Sequence, residues 1–331
     1  MMIKVGLIGP GDIGAYLGQV CGGLTGVELA AIAGSNPAKL GDYTKRFGIP
    51  AFAGYSSMLE ETDLDAVIIA TPSDTHARIT LDCIQKGLHV FCEKPMALST
   101  EDCDEMITAA RRAKVKLMVG QVLREMPVFV KVREILTSGK LGRPLLVNLV
   151  RAEKMTLWGW YLDPNHYRSV FHEMVVHEFD LLRVLIGEVD EIEVIAAQRS
   201  GHDPDYDTPS QIRLVFQDGA IGTLTHHWNS PLTLGSGTVF CEGGTIRYNW
   251  RGGNWIEYKT DASEAILLDV AETDANNGYR RELVSFFDWI RIDTPPLISA
   301  EDGRAAVVLA EMAYISRQTG KPVKQPFKAG R

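Results

Sequence analysis

Glu93, Lys94 and Pro95 follow a short apolar run at residues 88–92, in which His89 is the only polar side chain. A run of this length and composition predicts a buried strand. Because proline fixes φ and lacks an amide donor, Pro95 should end the strand and leave the lysine beyond the sheet edge. Open α/β sheets bind ligands at the carboxyl ends of their strands, so these charges could do chemistry there. A solvated turn explains the same three residues equally well.

A second set of reactive side chains, Glu173, His177 and Asp180, is spaced four and three residues apart. A helix is predicted over residues 174–186, and this spacing favours one shared face. Histidine can exchange a proton near neutral pH, and a carboxylate one turn earlier can fix its tautomer and support the imidazolium. The alternative is a helix face with ordinary ion pairs.

His172, Glu173 and His177 are similar to the zinc-binding pattern H-E-x-x-H, but with one residue too many. Histidines five residues apart point about 140° away from each other on an α-helix. A peptidase variant with the extra residue also needs a distant carboxylate ligand, which nothing in this sequence specifies. The sequence therefore predicts no metal site.

A glycine-rich segment at residues 9–14 joins an apolar strand at residues 3–8 to an apolar pattern of helical spacing. The order strand, G-x-G-x-x-G turn and helix predicts a dinucleotide site. The glycines allow a tight turn, close approach of the backbone to a pyrophosphate, and packing of helix on strand, while the first amides of the helix face the phosphates. The residues expected to contact the cofactor are Gly9, Gly11, Asp12, Ile13 and Gly14.

The second strand, predicted over residues 27–33, is followed by Ser35, Asn36 and Lys39. NAD enzymes usually place an acid about 20 residues after the fingerprint to bind the ribose 2′-hydroxyl, and here that acid is missing. The serine and asparagine can hydrogen-bond a phosphate, and the lysine can add charge. These residues favour NADP over NAD, although no arginine is present. Asn36 followed by Pro37 can also cap the next helix.

Thr71, Pro72 and His76 follow a third apolar strand, predicted over residues 64–70. Side chains and backbone at such a strand end would line the ribose and nicotinamide portion of a cofactor, and we assign all three residues to cofactor binding. His76 could instead lie on the surface of the first turn of the next helix, which Asp74 or Thr75 can start.

Aromatic rings beside hydrogen-bonding groups precede the histidine-bearing helix and recur on a later strand, at Trp158, Trp160, His166, Tyr167, Arg168, His226, His227 and Trp228. Such side chains suit a sugar or a polyol, and we include Tyr167 among the substrate contacts. Most residues of these types nevertheless lie in cores or interfaces.

The order of the elements predicts the fold class. Over residues 1–123 strands and helices alternate, which is typical of a Rossmann domain with a doubly wound parallel sheet. Residues 124–331 carry alternating strands separated by Gly, Asp and Asn turns, so we expect an α+β domain with a large, mostly antiparallel open sheet. A helix over residues 300–318, which Ser299 can cap, could pack back on the first domain, and Ser99 can cap an earlier helix. The uncovered sheet face predicts a homodimer or homotetramer.

Size and composition narrow the classes of protein. A chain of 331 residues exceeds the usual size of one core, which agrees with two domains. A net charge of -8 and a pI of about 5.5 argue against a nucleic-acid or anionic-membrane partner. The five cysteines are odd in number and none forms C-x-x-C, so we expect a reduced, cytoplasmic protein. Neither a signal-peptide pattern nor a membrane-spanning run is present in the sequence.

Taken together, these motifs resemble the Gfo/Idh/MocA family, the glucose–fructose oxidoreductase and inositol dehydrogenase group, over essentially the whole length. The segments that carry the resemblance are Gly-Pro-Gly-Asp-Ile-Gly at 9–14, Ala-Thr-Pro-Ser-Asp-Thr-His at 70–76, Glu-Lys-Pro at 93–95, His-Glu-Phe-Asp at 177–180 and Pro-Pro-Leu-Ile-Ser-Ala-Glu-Asp-Gly-Arg at 295–304. The Glu-Lys-Pro segment with a later helix histidine is the most specific pair.

The resemblance implies roles that the residues alone left open. Lys94 would contact both the nicotinamide and the substrate, Glu93 would lie near the cofactor, and the peptide bond between the lysine and its proline would be cis. His177 would be the general acid/base that takes the hydroxyl proton as hydride leaves the same carbon, and Asp180 would bind polyol hydroxyls. Family members commonly have Asp where this chain has Glu173, so the extra methylene moves that catalytic carboxylate.

We therefore predict an NAD(P)-dependent dehydrogenase or reductase acting on a carbon-bound hydroxyl of a sugar, cyclic polyol or sugar derivative. Two alternatives stay open, a cofactor-binding sensor without catalysis and an NAD-dependent glycosidase on the same fold. The presence of both Lys94 and His177 argues against the sensor.

Overall fold

A computed structural model describes residues 2–154, 166, 168–197, 209–273 and 276–325. Contacts divide the chain into two compact units. The first comprises Met1–Val122, Asp163–Tyr167 and Gly278–Val307, and the second comprises Leu123–Leu162, Arg168–Asn277 and Val308–Arg331. The first boundary falls next to residue 123, where the sequence-based division placed it. Residues 278–307, which that division assigned to the second domain, belong to the first unit.

The first unit contains a six-stranded sheet whose pairings are all parallel among the described residues. Its strands are β1 (Ile3–Ile8), β2 (Val27–Ala33), β3 (Ala51–Phe52), β4 (Ala66–Ile69), β5 (His89–Glu93) and β6 (Leu117–Gly120). They lie in the order β3-β2-β1-β4-β5-β6, the order found in dinucleotide-binding sheets. The predicted doubly wound parallel sheet is confirmed, and only the two-residue β3 had no counterpart in the prediction.

The helices that connect these strands are α1 (Asp12–Gly22), α2 (Pro37–Phe47), α3 (Tyr55–Glu61), α4 (His76–Gln85) and α5 (Thr100–Ala113). Two of them start at predicted caps. Asn36 Oδ1 accepts hydrogen bonds from the amides of Ala38 and Lys39, and Ser99 Oγ accepts one from the amide of Asp102. Each cap satisfies helix amides that have no partner within the helix and fixes where the chain leaves the strand end.

The second unit is built on a nine-stranded sheet in the order β14-β13-β12-β11-β7-β10-β9-β8-β15. The strands are β7 (Pro144–Lys154), β8 (Val189–Ala196), β9 (Ser210–Phe216), β10 (Ile221–His227), β11 (Asn229–Cys241), β12 (Gly244–Asn249), β13 (Trp255–Thr260), β14 (Ile266–Asp269) and β15 (Val323–Lys324). Within the described part of this nine-stranded sheet, the one parallel pair is β7 with β10, and the other pairs are antiparallel. The predicted, mostly antiparallel sheet is confirmed, with β14 and β15 as unpredicted edge strands.

The two faces of this sheet differ in burial. Val147, Leu149 and Val239 on one face are buried, and α6 (Pro127–Thr137) contacts β12, β13 and α7 (Val176–Leu185). Ile221 and Phe240 on the opposite face remain exposed. Since side chains alternate along a strand, each strand has a core side and an open side.

Two further helices, α8 (Gly278–Ile292) and α9 (Ala300–Thr319), complete the fold. Phe286 of α8 packs in the same core as Phe91, with ring centroids 5.8 Å apart, which explains why α8 belongs to the first unit. The predicted cap of α9 is confirmed, because Ser299 Oγ accepts a hydrogen bond from the amide of Asp302. Within the described ranges, none of the helices combines the length and apolarity needed to span a membrane.

Candidate active site

The glycine turn after β1 has the backbone that a dinucleotide requires. Gly9 has φ of 93°, which favours glycine, and a Cβ on Gly14 would lie 2.1 Å from Gly9 O. By contrast, a Cβ on Gly11 would meet nothing within 4 Å, so open space lies over the start of α1. The residues present therefore fit a pyrophosphate at this helix N-terminus.

Asp12 and Ile13, the other predicted contacts of this turn, are exposed in the first turn of α1. Lys39 of α2 reaches the same place, since its Nζ lies 3.7 Å from Asp12 Oδ1. The structure thus brings the cation predicted to bind phosphate to the glycine turn, although the two residues are 27 positions apart in sequence.

The end of β2 is exposed at Ser35 and Asn36, as a ribose-binding position must be. Asn36 uses Oδ1 to cap α2, so this side chain serves the helix in addition to any ligand. Gly34 was not predicted as a site residue. A Cβ there would lie 2.5 Å from Pro10 Cδ, so this glycine lets β2 end close to the glycine turn.

The turn after β4 contains Thr71 and Pro72, followed by a 3-10 turn at Ser73–Thr75. Thr75 Oγ1 lies 2.6 Å from Pro72 O and 2.7 Å from Thr71 Oγ1, so its hydroxyl stabilises this turn and does not cap α4. The prediction that Thr75 or Asp74 caps α4 with its side chain is therefore not met.

His76, at the first position of α4, does not lie where the sequence predicted. Its side chain is 1% exposed, so neither the predicted cofactor contact nor the alternative surface position describes it. Its Nδ1 is 2.8 Å from Pro95 O and its Nε2 is 3.0 Å from Thr71 O. The imidazole is enclosed between the turns that follow β4 and β5.

Glu93 and Lys94 stand at the end of β5, as predicted, and the Lys94–Pro95 peptide bond is cis. Glu93 is buried, and its Oε2 accepts a hydrogen bond from the Lys94 amide at 3.2 Å. Burial raises the pKa of the Glu93 carboxyl to about 7, although the neighbouring ammonium opposes the shift. A carboxyl that titrates near neutrality beside a lysine can hold or release a proton at working pH.

Gln121 was missed by the sequence analysis. It follows Gly120, the β6 partner of Glu93, and it is 1% exposed. Among the residues that the structure describes, neither the oxygen nor the nitrogen of its side-chain amide has a hydrogen-bond partner. A single glutamine after a short apolar strand gave no signal of this.

In the second unit, a π-helical turn at Phe171–Val175 precedes α7. Glu173 lies in that turn and is 1% exposed, whereas His177 is the second residue of the regular helix and is 9% exposed. The hydrogen bonds of a π turn span one residue more than those of an α-helix, and the shared face of Glu173 and His177 stays a prediction.

Asp180 is fully buried in an ion pair that the sequence did not reveal. Its two oxygens accept hydrogen bonds from Arg124 Nε and Nη2, each at 2.6 Å. Arg183 Nη1 lies 3.8 Å from the same carboxylate. Any contact of Asp180 with substrate hydroxyls, as predicted, would compete with this ion pair. The partners are 56 residues apart, so the local spacing of residues could not indicate Arg124.

The candidates beside the histidine-bearing helix and on the later strand divide into three groups, apart from His227, which is half-buried at the end of β10. Trp158, Trp160 and Tyr167 lie outside the described residues. His226 and Trp228 are buried and stacked, with centroids 5.6 Å apart and planes at 18°, so they form part of the core. The remaining ones near the histidine-bearing helix are paired: His166 Nδ1 is 3.0 Å from Asp74 Oδ2, and Arg168 donates to Glu311.

His172 is also buried and neutral. Burial lowers its pKa to about 3, with the charge of Arg168 adding to the effect, and its Nδ1 lies 2.8 Å from Ser169 Oγ. Across the described ranges, no group of three or more His, Cys, Asp or Glu side chains is placed to hold a metal ion.

Comparison with known proteins gives a consistent assignment. Two family models match, an oxidoreductase family with an NAD-binding Rossmann fold over residues 3–121 and a GFO/IDH/MocA C-terminal domain over residues 129–247. Myo-inositol 2-dehydrogenase of Thermotoga maritima is 26% identical over 338 residues, covering 97% of this chain and 98% of that protein. Inositol 2-dehydrogenase of Rhizobium meliloti is 28% identical over 331 residues, covering 96% and 97%.

A solved levoglucosan dehydrogenase, in complex with NADH and levoglucosan, has the same fold, with a TM-score of 0.89 at 19% identity over 99% of this chain and 100% of that one. The matches of both family models agree with the resemblance that the glycine turn, the Glu-Lys-Pro segment and the histidine of α7 had suggested. The chain belongs to the Gfo/Idh/MocA family of NAD-binding oxidoreductases.

Proposed function

We propose that the protein is an NAD(P)-dependent dehydrogenase that transfers hydride between nicotinamide and a CH–OH group of a sugar, cyclic polyol or related compound. One observation carries the proposal. The parallel strands β1, β4 and β5 are neighbours, so the glycine turn, Thr71 and Lys94 follow adjacent strand ends at one sheet edge. That edge is where open α/β sheets bind dinucleotides. The relatives named as inositol dehydrogenases support the substrate class.

The proposed mechanism assigns a role to two reactive side chains, Lys94 and His177. The bound nicotinamide supplies the hydride acceptor or donor. The α1 N-terminus binds the pyrophosphate, while the ammonium of Lys94 orients the substrate oxygen and stabilises negative charge that develops on it. His177 takes the hydroxyl proton during oxidation and returns it during reduction. Burial raises the pKa of Glu93 to about 7, and its carboxylate, when ionised, partly neutralises the charge of Lys94.

The test is a panel of sugars, cyclic polyols and sugar acids, scored by formation of NADH or NADPH. We expect at least one compound to be oxidised, and Lys94→Ala and His177→Ala each to reduce kcat by about 10²-fold or more, the size typical of a lost acid/base group. Lys86→Ala, which removes an exposed lysine beyond α4, is the matched control. Wild-type turnover in both active-site variants would refute the roles.

We further propose that NADP is preferred over NAD. Support comes from the exposed Ser35 and Asn36, from the missing acid after β2, and from Lys39, which lies beside the glycine turn at Asp12. The comparison of kcat/KM for the two cofactors decides this. Lys39→Ala should weaken NADP selectively, while Lys45→Ala, an exposed lysine on the same helix, should not. A wild-type preference for NAD would overturn the proposal.

A homodimer or homotetramer through the open face of the second sheet is also proposed. Ile221, Leu146 and Phe240 are aligned across β10, β7 and β11 on that face, and Ile221 and Phe240 are exposed. Apolar rows of this kind are usually covered by a partner. Light scattering should give a multiple of 36.5 kDa, and Phe240→Glu should shift the measured mass toward that of a single chain.

A cytoplasmic location is supported by the five cysteines, which are all free.

A further inference from the structure

The buried imidazole of His76 connects two segments that carry predicted site residues. Its Nδ1 lies 2.8 Å from the carbonyl oxygen of Pro95, the residue after Lys94. Its Nε2 lies 3.0 Å from the carbonyl oxygen of Thr71, in the turn after β4. Both neighbours are backbone acceptors, so neither can donate a hydrogen bond to the ring.

A neutral imidazole has one N–H and can satisfy one of these carbonyls. Burial lowers the pKa of His76, and the charge of Lys94 lowers it further, so the ring is neutral although the two carbonyls and Asp74 oppose the shift. The contact with Pro95 is buried, whereas the contact with Thr71 is partly exposed to solvent. Leaving the buried acceptor without a donor costs more free energy, which favours the tautomer with the proton on Nδ1.

The position of this bond matters because β5 ends at Glu93, one residue before the lysine. Pro95 has no amide hydrogen, so its carbonyl is the backbone group through which this residue can be held. His76 is the first residue of α4, and α4 packs on β4, β5 and α5. The Nδ1–H bond therefore ties the backbone next to Lys94 to a rigid helix.

We propose that His76 is a positioning residue that fixes the backbone of Lys94 through a hydrogen bond from Nδ1 to Pro95 O. The bond itself rests on the geometry of the first unit. Only its consequence for turnover rests on the proposed function, in which Lys94 contacts the substrate.

The first test determines the protonation state and tautomer of the His76 imidazole in the wild-type protein. With ¹⁵N-labelled histidine, the imidazole of His76 should show a neutral ring at pH 7 with the proton on Nδ1. An imidazolium, or a proton on Nε2, would overturn the proposal.

The second test measures the reactivity of the Lys94 amine in the absence of substrate and cofactor. His76→Phe keeps a ring of similar size but removes the donor, and His76→Gln keeps an N–H donor. Reductive methylation followed by mass spectrometry should show the rate at Lys94 changed at least threefold in His76→Phe and less in His76→Gln. Lys39 and Lys116 serve as internal controls and should keep their rates. An unchanged rate at Lys94 in a folded His76→Phe protein would overturn the proposal.

The third test measures turnover on a compound that the wild type oxidises. A misplaced catalytic group commonly costs about 10²-fold, so kcat of His76→Phe should fall by about 10- to 100-fold with little change in substrate KM, and His76→Gln should recover part of it. Wild-type kcat in His76→Phe would refute the positioning role. If no compound is oxidised by the wild type, the proposed function fails, and the first two tests still decide the role of His76.

Discussion

Both carboxylate oxygens of Asp180 accept hydrogen bonds from the guanidinium of Arg124, at 2.6 Å each, inside the second unit. The side chains of the two residues are 1% and 7% exposed, so the pair is removed from water. Burying two charges is costly, and such a pair is weak evidence of net stabilisation. It does hold α7, which carries His177, against the segment that precedes α6.

We predict that Asp180→Ala lowers the free energy of unfolding by about 3–5 kcal/mol, because it removes the carboxylate that neutralises the buried Arg124 charge. Asp180→Asn should cost less, since the amide oxygen still accepts one hydrogen bond. Urea unfolding measures both, and Asp261→Ala removes an exposed carboxylate as a control. A small loss of stability in Asp180→Ala together with a raised substrate KM would show that Asp180 binds substrate directly.

The glycine turn gives a matched pair of substitutions. Gly14→Ala should destabilise the protein strongly, because its Cβ would lie 2.1 Å from Gly9 O. Gly11→Ala should leave thermal stability nearly unchanged, since nothing lies within 4 Å of its Cβ, but it should weaken dinucleotide binding at least tenfold. Thermal unfolding and titration with NADH or NADPH measure the two effects. Wild-type affinity in Gly11→Ala would place the pyrophosphate elsewhere.

Glu93 should make stability depend on pH. Its folded pKa of about 7 exceeds the ordinary value of 4.5, so the folded state binds the proton more tightly. The wild type therefore loses stability as pH rises from 4.5 through about 7. Glu93→Gln, which cannot ionise, should be more stable than the wild type at pH 8, on the order of 1–3 kcal/mol. The difference should vanish near pH 4, and a constant difference across this range would contradict the assignment.

Two buried histidines should make stability depend on pH in the opposite direction to Glu93. Burial lowers the folded pKa of His172 and of His226 to about 3 in each case, so the unfolded state binds more protons below pH 6.5. The stability that depends on these neutral histidines should be fully present above pH 6.5. It should fall as pH decreases below that value, by about 1.4 kcal/mol per pH unit for each histidine. His226→Phe, which keeps the stack on Trp228, should lose less stability than the wild type between pH 7 and 5.

Patterns that are local in sequence were predicted well. The glycine turn, the Glu-Lys-Pro strand end and the caps at Asn36, Ser99 and Ser299 were all found where the sequence placed them. Each depends on a few neighbouring residues whose backbone preferences and hydrogen bonds favour the same structure. The parallel sheet followed because such motifs alternate along the first 123 residues.

Side-chain environment was predicted less well. His76 was expected at the cofactor or on the surface, and it is buried between two turns because β4 and β5 are neighbours in the sheet. Glu173 was expected to share a regular helical face with His177, and it lies in a π-helical turn before α7. Neither outcome is encoded in residue spacing, since both depend on how distant segments pack.

The sequence by itself determined the family and the parallel sheet, and it predicted Lys94 and His177 as the reactive pair, because short motifs specify backbone and chemistry together. Only the tertiary structure decided what surrounds the polar groups: that Arg124 binds both oxygens of Asp180 across 56 residues, and that the imidazole of His76 lies between the carbonyl oxygens of Pro95 and Thr71. Burial and charge pairing arise from contacts between residues far apart in the chain, so they take their values only when the chain has folded.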